Sequence, residues 1–249
     1  QAEDGIRDLI VTGVQTCALP IYKRNALNTE LYQQLVAALR EAAADEEVHV
    51  LLLQGQQDCF TAGNDLADFM GKSSLEPDDP ILQFLHTLAD FPKPVVAAVA
   101  GPAVGIGTTI LLHCDLVYLG DNARLQLPFV ELGLVPEFAS SLLLPRLVGH
   151  LKAAELLLLA EAMDAEEALR LGLANKVVAA DGLLSFAREQ GLKLAAKPPR
   201  ALQKSKALLK QELKQAVHFV IDLEARAFAQ ALQGEEAQQR IAQKLKRRG

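Results

Sequence analysis

Three stretches of the 249-residue chain predict an α/β fold, with buried strands alternating with helices from Lys23 to about Gln190 and a helical C-terminal subdomain beyond. The first is Val95 to Asp115, VVAAVAGPAVGIGTTILLHCD. VVAAVA is a β-branched and alanine run of the kind that forms a fully buried strand. Gly101, Pro102, Gly105 and Gly107 break it into a tight loop with few side chains, and apolar residues from Thr108 to His113 resume as a buried helix. The second, Val48 to Met70, repeats that grammar: strand, glycine-containing loop, helix start at Asn64 or Asp65. The third is a shift after Asp181 to Ala, Leu, Lys, Gln and Glu, broken at Pro198-Pro199. Alternating buried strands and helices build a layered α/β domain.

Taken in order, the chain starts with a segment unlike the rest. The codons of a sequencing-library adapter translate to Gln1–Asp8 and to Val11–Ile21, which leaves Leu9 and Ile10 in the index position. Residues 1–21 are therefore set apart as an artefact that adds nothing to fold or function. Residues 22–190 are expected to form the α/β core and residues 191–249 the helical subdomain. Asn28 reads as a helix cap, and Leu31, Leu35, Ala38 and Leu39 keep helical spacing to about Ala44. Val48 to Leu53 is a buried strand. Between Lys72 and Pro80 the polar run SSLEPDDP predicts a mobile loop. Ile81 to Asp90 is a helix with Leu82, Phe84, Leu85 and Leu88 on its apolar side. Asp115 to Leu119 and Arg124 to Leu127 read as strands, and Ala139 to Val148 and Leu151 to Ala160 as helices. Val177 and Val178 close the core. The tail helices are amphipathic, as at Phe219, Leu223, Ala227 and Ala231.

Composition excludes several classes. A net charge of −6 and the absence of Trp argue against a nucleic-acid partner. Val95 to Leu112 carries no charge and approaches the ~18 residues of a membrane span, but two glycine breaks and a proline in its middle argue against one. Cys17, Cys59 and Cys114 have neither zinc nor disulfide-framework spacing, and a reducing cytoplasm is the expected setting. His49, His86, His113, His150 and His218 are scattered without metal-ligand spacing. GPAVGIG does not fit a dinucleotide fingerprint, and Ser140 and Ser141 lack a nucleophile elbow.

The chemistry lies in the two glycine loops. A glycine turn at a helix start leaves backbone N–H groups free where the helix dipole favours negative charge. One such loop alone is more often only a tight turn in a core, and it takes the second to change that reading. Two of them could each aim one N–H at the same oxygen, making an oxyanion site. Five blocks then carry a resemblance: RNALN (Arg24 to Asn28), CFTAGNDL (Cys59 to Leu66), AGPAVGIG (Ala100 to Gly107), LGLVPEFASSLLLPRLVG (Leu132 to Gly149) and AEEALRLGLANKVV (Ala165 to Val178). In order and spacing the chain resembles the crotonase (enoyl-CoA hydratase/isomerase) superfamily. The resemblance implies a spiral of ββα repeats, an acyl-CoA thioester substrate, no cofactor beyond that coenzyme A, and a homotrimer or hexamer. It also implies that the family's first strands have been replaced by the adapter-like segment. By motif position the enolate oxygen would take the N–H groups of Asn64 and Ile106, beside Gly105. Coenzyme A would lie near Ala26 and along Ala62, Gly63, Asp65 and Leu66. Asp65 reads equally well as a helix cap.

Departures from the family pattern narrow the chemistry. The two glutamates of hydratases would stand at Thr109 and Phe129, and both are absent. Glu137 remains, where peroxisomal-type Δ3,Δ2-enoyl-CoA isomerases keep a single acid/base. Its neighbours Leu134, Val135 and Phe138 are apolar, so burial would raise its pKa toward working pH. The alternative is a charge at the N-terminus of the following helix; Glu131 reads as a surface or capping charge. The expected function is a shift of a 3-enoyl-CoA double bond to the 2-position. A hydratase-like enzyme of other specificity, a thioester hydrolase and a non-catalytic acyl-CoA-binding relative stay open.

Overall fold

The computed structural model describes residues 7–11, 13–18, 25–69 and 76–246, with backbone alone at residues 7–11, 17, 18 and 69. β1 (Arg7–Val11) and β2 (Val14–Ala18) form a hairpin, and α1 (Thr29–Ala44) follows, capped by the Asn28 side chain. β3 (Val50–Gln54), the short α2 (Leu66–Phe69), α3 (Pro80–Ala89) and β4 (Val95–Val99) come next. The two glycine loops thus open differently than expected. The first helix starts at Leu66 rather than Asn64 or Asp65, because Asn64 still pairs with Leu27 as a parallel bridge. The second loop holds β5 (Pro102–Val104), and α4 (Ile106–Thr109) starts two residues early and tightens into a 3₁₀ turn at Ile110–His113. Of the loop expected at 72–80, residues 72–75 lie outside the described residues, while Asp79 caps α3 and Pro80 takes its first position.

β6 (Leu116–Gly120), β7 (Arg124–Gln126), α5 (Ser140–Val148) and α6 (His150–Ala154) lead into a π turn at Glu155–Leu159. β8 (Met163–Asp164), α7 (Ala165–Arg170) and β9 (Lys176–Val178) complete the strands. The main sheet has the order β1-β2-β3-β4-β6-β9, with every neighbour parallel except β1 and β2. A smaller sheet, β5-β7-β8, stands beside it. Sheets of parallel strands are covered on both faces, which is why their strands read as unbroken apolar runs. Leu51, Leu53, Val95 and Ala97 face α1 and α3, whereas Val50, Leu52, Val96 and Ala98 face the other way.

That second face is covered by α8 (Leu183–Ala195), through Leu183, Ala187 and Ala195. The expected boundary at residue 190 therefore falls inside a helix that belongs to the core. α9 (Pro199–Gln211), α10 (Lys214–Gln233) and α11 (Glu235–Lys246) follow the Pro198-Pro199 break. The adapter-like residues are also placed: β2 lies between β1 and β3, paired in register from Val14 opposite Val50 to Ala18 opposite Gln54. Val14 suits that place, but Gln15 and Thr16 are buried there with Gln15 Oε1 and Thr16 Oγ1 lacking hydrogen-bond partners among the described residues. No helix among the described residues is long and apolar enough to cross a membrane.

Candidate functional site

The RNALN segment holds the first glycine loop in place. Asn25 adopts a left-handed backbone, and its buried Nδ2 donates to the carbonyls of Cys59 (2.8 Å) and Phe60 (2.9 Å). Thr61 Oγ1 returns a bond to Asn25 O at 2.6 Å. Leu27 N–H then donates to Gly63 O, and Asp65 N–H to Leu27 O. This bridge uses the groups flanking Asn64, so the N–H of Asn64 lies on the opposite edge. Gly63 has φ 90°, and a Cβ there would stand 2.8 Å from Val104 O, so only glycine lets the two loops approach.

The second loop is anchored by Gly105 N–H to Gln126 O at 2.8 Å. Gly105 has φ 58° and turns the chain into α4, where the Ile106 N–H has no upstream carbonyl to bond. Ala62, Gly63, Asn64, Leu66, Gly105, Ile106 and Glu137 all line one cleft of about 50 Å³. Ala26 and Asp65 do not line it. Asp65 Oδ1 accepts the Ala67 N–H at the start of α2, its capping alternative. Thr109 also stands outside the cleft, buried with Oγ1 donating to Ile106 O, whereas Phe129 forms part of the wall.

Glu137 is the single carboxylate lining the cleft among the described residues. It precedes two consecutive left-handed residues, Phe138 (φ 58°) and Ala139 (φ 54°), a strained turn for side chains with a Cβ. His113 braces that turn: its ring stacks on Phe138 with centroids 3.7 Å apart, and Nε2 bonds Phe138 O at 2.8 Å. Burial lowers the His113 pKa to about 3, so the ring is neutral and Nε2 carries the donated hydrogen. The Glu137 carboxyl is thereby aimed at the cleft. Its Oε2 takes a long bond from Asn64 Nδ2 at 3.5 Å, and Oε1 has no partner.

Burial pushes the Glu137 pKa up to about 8; the negative charge of Glu224 adds to the rise and the Asn64 bond opposes it. The alternative of Glu137 as a helix charge is not what the structure shows. Glu224 from α10 takes that place, accepting the Ser141 N–H of α5 at 2.9 Å.

The family resemblance implied that the helical tail packs over the active site or a neighbouring subunit, with a surface helical hairpin as the alternative, but sequence reasoning named none of the far wall's residues. Phe228 and Leu232 from α10 and Ile241 and Lys244 from α11 close the cleft with Leu132, Leu134 and Phe129. It also missed Tyr32, which is buried in α1 and donates its hydroxyl hydrogen to Asn64 Oδ1. The histidines are less scattered than their spacing implied. His86 and His218 meet through Nδ1 at 2.7 Å, with Asp222 and Asp90 on their outer nitrogens. No group of three or more His, Cys, Asp or Glu among the described residues could hold a metal ion.

Residues 16–248 match the family described as enoyl-CoA hydratase/isomerase. The chain is similar to enoyl-CoA delta isomerase 2 of Rattus norvegicus, 36% identical over 80% of this chain and 52% of that protein. It is similar to 2,3-dehydroadipyl-CoA hydratase of Escherichia coli, 34% identical over 90% of this chain and 89% of that one. The chain spans about half the length of the isomerase relative and most of the hydratase one. Among solved structures, Pseudomonas aeruginosa OdaA superposes with a TM-score of 0.94 at 44% identity, over 98% of this chain and 99% of that chain. The fold is the crotonase fold, and the chain belongs to the enoyl-CoA hydratase/isomerase family.

Proposed function

We propose that the chain is an acyl-CoA isomerase that moves a 3-enoyl-CoA double bond to the 2-position. The observation that carries this reading is the solitary Glu137 carboxylate in a cleft walled by two glycine loops. Hydration calls for an acid and a base acting on water and on carbon; a proton shuttle calls for one group. Glu137 takes the proton from C2, and the C–H electron pair flows into the thioester carbonyl. The enolate oxygen sits between the N–H groups of Asn64 and Ile106. The same proton returns from Glu137 to C4, the C3–C4 double bond becomes C2–C3, and the carbonyl re-forms. Nothing is oxidised or reduced overall, so coenzyme A on the substrate is the one accessory group required.

The magnitudes fit this division of labour. One aimed backbone donor at an oxyanion is worth ~2.7–4 kcal/mol, and a positioned acid/base contributes about 10²–10⁴-fold. A pKa of about 8 makes Glu137 a strong enough base to be useful and leaves part of it ionised near neutrality. A site for one water takes roughly 10–15 Å³, so a cleft of about 50 Å³ fits only a reacting centre. A longer acyl chain requires the Phe228, Leu232 and Ile241 wall to give.

The test assays a 3-enoyl-CoA and a 2-enoyl-CoA side by side with the native chain and Glu137→Gln. Isomerisation is expected in the native chain and a loss of about 10²–10⁴-fold in the variant, with thioester binding kept. Near-full isomerase activity in Glu137→Gln rules out this base. Turnover of the 2-enoyl-CoA alone favours a hydratase-like enzyme, the reading supported by similarity to the Escherichia coli hydratase. Binding without turnover of either substrate favours a non-catalytic acyl-CoA-binding relative.

A further inference from the structure

The geometry points to Tyr32 as the positioning residue that decides which end of the Asn64 amide faces Glu137. The two ends of an asparagine amide have nearly the same shape and opposite hydrogen-bonding character, so neighbours set its orientation. Asn64 sits between two such neighbours. The Tyr32 hydroxyl donates to Oδ1, and Nδ2 is turned toward Glu137 Oε2 at 3.5 Å. With Oδ1 held by a donor, the NH₂ end must face the carboxyl. That orientation favours ionised Glu137, which can only accept.

The flipped amide would favour the opposite state. Oδ1 would face Glu137 and accept a hydrogen from its protonated form. Tyr32 therefore biases Glu137 toward the ionised form without touching the cleft contents. The Tyr32 ring is held rigidly in place, fully buried on α1 and packed on Phe84 with centroids 5.3 Å apart. Tyr32 stays protonated, because burial and then the charges of Glu137 and Asp79 hold its pKa well above the phenol value, and a flipped amide would take the Oδ1 acceptor away from its buried hydroxyl hydrogen. The other groups around Glu137 act differently. Glu224 on α10 opposes its ionisation, the neutral His113 braces the backbone at Phe138, and Lys244 stands in the α11 wall.

The kinetic side of this inference rests on Glu137 being the base, but its titration side does not. The experiment follows the Glu137 carboxyl by carbon NMR in the full chain with labelled glutamate, assigned by loss of the signal in Glu137→Gln. Tyr32→Phe should move the titration up by about one pH unit, the size of one neutral hydrogen bond. Below the midpoint kcat should then fall about tenfold, with KM nearly unchanged. In an Asn64→Ala background, which keeps the Asn64 N–H, the effect of Tyr32→Phe should vanish. Should Tyr32→Phe not fold, 3-fluorotyrosine at position 32 makes a stronger donor and should move the titration down. No shift in either variant, or an equal shift with and without the Asn64 side chain, overturns the inference. A titration shift without any change in kcat, alongside an active Glu137→Gln, keeps Tyr32 in its role and removes Glu137 as the base.

Discussion

Glu137 Oε1 is a buried oxygen that no group among the described residues satisfies, and this shapes stability as well as chemistry. An unsatisfied polar group in a native structure calls for an explanation, and a substrate proton supplies one. The sign of its effect on stability follows from where its proton sits. Native Glu137 titrates at about 8 and the unfolded side chain near 4.5. Between those values the native state holds a proton that the unfolded chain has released. Stability must therefore fall as pH rises through that window, by about 1.4 kcal/mol per unit at most. Glu137→Gln removes the titration. We expect the variant to match the native chain near pH 4.5 and to exceed it increasingly up to pH 8, by roughly a few kcal/mol at the upper end. Urea unfolding at both pH values checks this. A gap that stays constant with pH would mean that Glu137 ionises freely in the native state. The same substitution is predicted to abolish turnover, so stability and activity oppose each other at this residue.

At the level of elements, the parts of the site that come from one loop were legible and the parts that come from packing were not. Asn64, Gly63, Ala62, Leu66, Gly105, Ile106 and Glu137 lie in motifs whose glycines already imply a close approach of backbone. Tyr32, Glu224, Phe228 and Ile241 lie in ordinary amphipathic helices. Helical periodicity tells which face is buried but not what it covers, so nothing in the sequence of α10 or α11 marks it as a wall. The capping of α5 by Glu224 links residues 83 apart and was invisible for the same reason. Setting aside residues 1–21 hid the opposite fact, that β2 fills a place in the main sheet. Its sequence suits that place poorly. Gln15 and Thr16 are buried with unsatisfied side-chain oxygens, each costing about 1–3 kcal/mol relative to an apolar side chain of similar shape. Gln15→Leu and Thr16→Val should each raise the thermal midpoint while leaving the cleft untouched. Midpoints that stay the same or fall would show that these side chains find partners in solution and that the segment fits its strand. If deletion of residues 1–21 leaves the chain folded, β2 contributes little; if it unfolds the chain, the segment has been recruited as a working strand.

For the molecule as a whole, the question is what covers the apolar faces that the fold leaves outside. Single exposed apolar residues are ordinary on a soluble surface, but here they run along consecutive helices. α9 presents Leu208 and Leu209, the latter 86% exposed, and α10 presents Phe219 and Leu223 one turn apart. α5, α6 and the π turn present Leu147, Leu151 at 85%, Leu158 and Leu159. Two unlike patches on separate elements suit a head-to-tail contact, in which one patch of each copy meets the other patch of the next. Such contacts close into rings when the rotation between copies permits. We therefore expect the full chain to sediment as three or six copies at micromolar concentration. Leu209→Glu combined with Phe219→Glu should shift it toward a single chain, because a charge buried in a contact must lose its water. Phe228, Leu232, Ile241 and Lys244 of the same chain supply the far wall of the cleft, and none of them lies in the exposed patches named above. Dissociation is therefore expected to leave turnover in place, which separates assembly from catalysis in one preparation. A single-chain mass for the unaltered protein would remove the assembly, and loss of turnover on dissociation would show that a neighbouring copy completes the site.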